Sequence, residues 1–182
     1  GNVHAGRPFP GHESLFAQVS NLSRIHLSAI LHKSIASADV FLYDICQQDQ
    51  ATIGSPNIEN LRMLRSASQS MELQFSKALE IRFAQFQNLM KPSVKIGLDL
   101  SLVDIDDTDD VVSVELVSEG LTRAFADALS ITGQRLCVLL GFQLSEKSKA
   151  PLTEMHLAEL MRSAMHGIEL SPKIRAIVFR SY

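Results

Sequence analysis

The chain has no tryptophan, two tyrosines and two cysteines among its 182 residues. Nine phenylalanines supply most of its aromatic content. Such rings fill a core; they do not build the polar-edged platforms that stack sugars or bases. Two cysteines in a chain this long make no disulfide framework, so a reducing compartment is the default. Basic charge is short as well: 17 Lys and Arg stand against 20 Asp and Glu, for a net charge of -3. That leaves no electrostatic footprint for nucleic acid. No apolar run approaches the roughly 18 residues of a membrane span, and no signal peptide is visible. The glycines are isolated at element ends, so there is no P-loop, no GxGxxG turn and no GxSxG nucleophile elbow. No catalytic constellation stands above background, and none is expected.

What the chain does have is helical periodicity. The first 12 residues, rich in Gly, Pro and His, read as a flexible lead or a cloning remnant. Leu27, Leu31, Ile35, Ala38, Leu42 and Ile45 then recur at steps of three and four, one face of a helix that Leu15, Val19 and Leu22 extend upstream. This helix is expected over 13–48. A polar link holding Gly54 follows, with Ser55 as cap and Pro56 in the first turn of a second helix over 57–91. Its stripe is Leu61, Leu64, Met71, Phe75, Leu79, Phe83, Phe86 and Met90, interrupted at Ser68 and ended by Pro92. A third helix over 109–141 carries Val114, Val117, Leu121, Phe125, Ala128, Leu136 and Leu139 and stops at Gly141. Shorter helices are expected over 152–167 and 172–182. The fourth, with Met155, Met161 and Met165 beside Leu157 and Leu160, is apolar nearly all round, so it is either buried within the chain, the favoured reading, or covered by a partner. Residues 93–107 alternate like a strand but have nothing to pair with, and read as an extended connector. The fold class is therefore all-α: a bundle of about five helices, three of them long, in one domain over 13–182. An apolar helix running into the last residue suggests a fragment of a longer protein.

The densest chemistry is acidic. Between Asp99 and Glu119 there are eight acids and no Lys or Arg. Counting from Asp104, Asp106 falls at the third position of a calcium loop, Thr108 at the fifth and Glu115 at the twelfth. The sixth position is Asp109, where the loop's sharp turn needs Gly. Asp104, Asp106, Thr108 and Glu115 are thus weak metal candidates, and a solvated linker capping a helix is the plainer reading. His26 with His32, and His156 with His166, are spaced too widely for a compact zinc set. Cys137, in an aliphatic run, is expected in the core rather than reactive.

Three segments carry a resemblance. The first is Ala38-Asp39, Phe41-Leu42 and Cys46, continued by Asn60-Leu61-Arg62 and Leu64-Arg65 and by Phe75 to Phe86. The second is LSLVDIDDTDD, and the third is the QRLCVLLG helix with the loop APLTEMHLAELM. Together they resemble the N-terminal part of the bacterial domain of unknown function 1631 family, long cytosolic proteins sometimes labelled thymidine phosphorylase-like. The likeness covers most of residues 14–182. It departs at Ala150-Pro151, where the family usually has Asn-Pro, and in the serine-rich SASQS of the second helix, which is usually richer in Arg. The resemblance implies a helical regulatory or scaffolding protein of the cytoplasm and supplies no catalytic residue. A phosphorylase must cradle phosphate, and no segment here builds such a cradle.

The expected function is therefore a non-catalytic interaction or regulatory module that binds itself or a protein partner through amphipathic helices. No cofactor is expected. A ligand-sensing bundle, or a metal-dependent enzyme using the acidic segment 99–115, stands as the alternative.

Overall fold

A computed structural model describes residues 7–49, 53–89 and 108–181. Five α-helices follow in order: α1 (His12–Gln48), α2 (Pro56–Asn88), α3 (Thr108–Leu140), α4 (Glu154–Ala164) and α5 (Pro172–Ser181), with a 3-10 turn at Leu144–Lys149 between α3 and α4. Among the described residues there is no strand. The expected all-α bundle with three long helices is what forms.

α1 and α2 are an antiparallel hairpin. Three ion pairs cross it: Arg65 with Asp39, His32 with Glu72 and Arg24 with Glu80. From one pair to the next, the chain steps seven and then eight residues back along α1 and the same number forward along α2. That is the fixed register of two antiparallel helices meeting every two turns. α2 supplies the spine of the core. Leu61, Leu64, Ala67, Met71, Phe75, Leu79, Phe83 and Phe86 are all buried, and Ala67 fills the gap expected at Ser68. α4 packs across α2 and α3, and α5 packs on α1 and α3. At one end of the bundle Phe16 meets Phe83 and Phe86 at ring separations of 5.6 and 6.5 Å, and Phe86 meets Phe142 edge-on at 5.0 Å. Such pairs add to simple burial.

Local chemistry sets the helix ends. Ser55 Oγ accepts from the Ile58 amide with Pro56 in the first turn, as expected, and Thr153 Oγ1 accepts from His156. The Thr153 cap starts α4 at Glu154, two residues later than its periodicity suggests. α3 ends in a Schellman motif: Gly141 takes φ 73, the Phe142 amide donates to the Cys137 carbonyl and the Gly141 amide to Val138. The segment after α3 winds into the 3-10 turn. That turn packs on α3 beside Gly133, where a Cβ would stand in van der Waals contact at 3.4 Å from the Lys147 carbonyl oxygen and the Ala150 Cβ. Ahead of α1, the Phe9 amide donates to the Leu139 carbonyl at 3.1 Å.

Two expected stripes differ from the structure. In α1 the inner face is Phe16, Leu31, Ser34, Ile35, Ala38, Leu42 and Cys46, while Leu15 and Leu22 point outward. α1 is apolar on two opposite sides, and the upstream leucines belong to the outer one. In α3, Leu136, Cys137 and Leu140 are buried, Val117, Leu121 and Leu139 are half-buried, and Phe125 and Ala128 are exposed. α4 and the 3-10 turn cover α3 mainly toward its C-terminal end. α4 is buried within the chain at Leu157, Ala158, Leu160, Met161 and Ala164, with Met155 left outside.

Candidate functional site

The acidic candidates are only partly within the described residues. Asp104 and Asp106 lie outside them. Thr108 is the first residue of α3, and Glu115 is exposed on the same helix. Among the described residues, no three His, Cys, Asp or Glu side chains gather where they could hold a metal ion. The histidine pairs are not brought together either. His32 donates through Nδ1 to Glu72 at 2.7 Å, and His26 is exposed. His156 is half-buried and donates through Nδ1 to the Ala150 carbonyl at 2.7 Å, and its burial pushes its pKa down. His166 lies in the turn after α4, exposed. Cys137 is fully buried, as expected, and its thiol is pushed up by burial and, second, by Glu146. A raised thiol is a poor nucleophile.

The residues of the first family-like segment do converge. Tyr43, Cys46 and Gln47 of α1 and Ile58, Leu61, Arg62 and Arg65 of α2 line a cleft of about 490 Å³ at the end of the hairpin where α1 passes into α2. Its two cations have carboxylate partners from the hairpin itself. Arg65 holds Asp39 with two bonds of 2.6 and 3.0 Å, an arrangement that keeps the guanidinium charged beyond its usual range. Arg62 pairs with Glu59 at 3.1 Å. The Arg65–Asp39 pair clamps the hairpin register, the Arg62–Glu59 pair lies within α2, and neither arginine is left over as a receptor for an anion.

The outer face of α1 is the larger feature. Leu15, Leu22, Ile25, Val40 and Tyr43 are 43 to 58% exposed, and Ala29 and Ala36 between them are also exposed. At 3.6 residues per turn these seven fall within an arc of about 80°, opposite Leu31, Ala38 and Leu42. Ile30 and Phe41 lie exposed along one edge. On α3, Phe125, Ile131 and Val138 are exposed as well. Among the described residues, no single helix is long and apolar enough to cross a membrane.

The family described as "Protein of unknown function (DUF1631) N-terminal domain" matches residues 11–182. The chain belongs to that family. No curated protein and no solved structure matches it. The resemblance seen in the motif residues is therefore a family membership spanning almost the whole chain.

For this DUF1631 N-terminal domain, sequence reasoning missed the outer face of α1 as a feature of its own. The signal was available: Ile25, Ala29, Ala36, Val40 and Tyr43 form a second stripe of three, four and seven residue steps, out of phase with the core stripe. The cross-hairpin ion pairs carried no comparable signal, because their partners lie 26 to 56 positions apart.

Proposed function

We propose that this DUF1631 N-terminal domain is a non-catalytic protein-interaction module within a larger bacterial cytoplasmic protein. The observation that carries the reading is the outer face of α1, an apolar strip running nearly the length of a 37-residue helix. A contiguous exposed apolar surface of that extent commonly marks an interface. The paired state of the cleft arginines and the inert setting of Cys137 support a binding role over catalysis. A ligand-sensing bundle has one feature in its favour, the hairpin cleft, whose volume falls in the ordinary range for small-molecule sites.

The test replaces Leu22 and Val40 by Lys in the 182-residue chain. Circular dichroism and melting temperature are expected to stay as they are, since both side chains are outside the core. Association, whether with itself or with a captured bacterial protein, is expected to be lost. Association unchanged by both substitutions would defeat the reading.

A further inference from the structure

We draw no further inference here: the strongest candidate, the exposed apolar face of α1 between Leu15 and Tyr43, already carries the interaction-module reading, and nothing in the structure shows what covers it.

Discussion

Replacing Phe83 by Ala tests whether the α2 stripe is the spine of this fold. Phe83 is 2% exposed and its ring centre lies 5.6 Å from that of Phe16. Truncation removes the apolar area of a whole ring and leaves a cavity that the surrounding Phe16 and Phe86 can fill only in part. Large-to-small changes of this kind cost about 3–5 kcal/mol, and the lost ring pair accounts for about 1 kcal/mol of that. Against a net stability of roughly 5–15 kcal/mol for a domain, the variant should fold but only just. With a urea m-value near the middle of the usual range, ~2 kcal/mol/M, the unfolding midpoint should fall by about 2 M. A chain of this size should lose roughly 8–16 °C in Tm. The control is Leu73→Ala on the opposite side of α2, where the side chain is 69% exposed. It should change stability by less than about 0.5 kcal/mol. Equal effects at Phe83 and Leu73, or a Phe83→Ala cost below about 1 kcal/mol, would refute the assignment of faces on α2.

Further outcomes follow from named contacts. With its amide nitrogen turned toward α4, Gln74 donates to the carbonyls of Ser163, Ala164 and His166 at 2.9, 3.2 and 3.1 Å. Gln74→Glu sets a carboxylate against those oxygens at the negative end of a helix, so a loss of about 1–3 kcal/mol in urea unfolding is expected; a neutral effect would mean that Gln74 does not cap α4. Burial holds the folded-state pKa of His156 below the ordinary 6.5. The unfolded chain therefore takes up that proton first as pH falls. The stability His156 contributes is complete above pH 6.5 and declines as pH drops below it. His156→Gln should flatten that decline between neutral pH and about pH 5, and an unaltered profile would count against it. A double-mutant cycle on Asp39 and Arg65 should give a coupling of no more than about 1 kcal/mol, because the Arg65 side chain is 56% exposed; a coupling of several kcal/mol would show that the pair is shielded from water. Calcium titration should reveal no micromolar site dependent on Asp104, since Asp109 stands where a calcium loop needs Gly.

The helices were legible because each long one carries apolar residues at steps of three and four for seven turns or more, and because Ser55, Pro56 and Gly141 mark ends by backbone chemistry that operates within a few residues. α2 could be read almost residue by residue, as its outer side is polar enough to leave one stripe. The 3-10 turn was not legible. One leucine and five polar residues carry no period, and what orders them is their packing against α3, a tertiary fact. α4 was placed correctly in the interior but drawn too long, because its apolar residues continue past Met165 while the helix itself stops at Ala164.

α1 shows why periodicity alone stops short of function. A helix with two apolar stripes gives a sequence reader two candidate inner faces, and Leu15 and Leu22 were assigned to the wrong one. Only the hairpin register, held by Arg65–Asp39 and His32–Glu72, decides that Leu31, Ala38 and Leu42 turn inward. Once that is decided, the second stripe becomes evidence. An ordinary surface helix keeps its outer side polar. Leucine, isoleucine, valine and tyrosine on that side contribute nothing to this fold while exposed, and they raise the risk of aggregation. A helix whose inner face already has all the burial it needs has no structural use for the outer one. The outer stripe is therefore best explained by something that covers it.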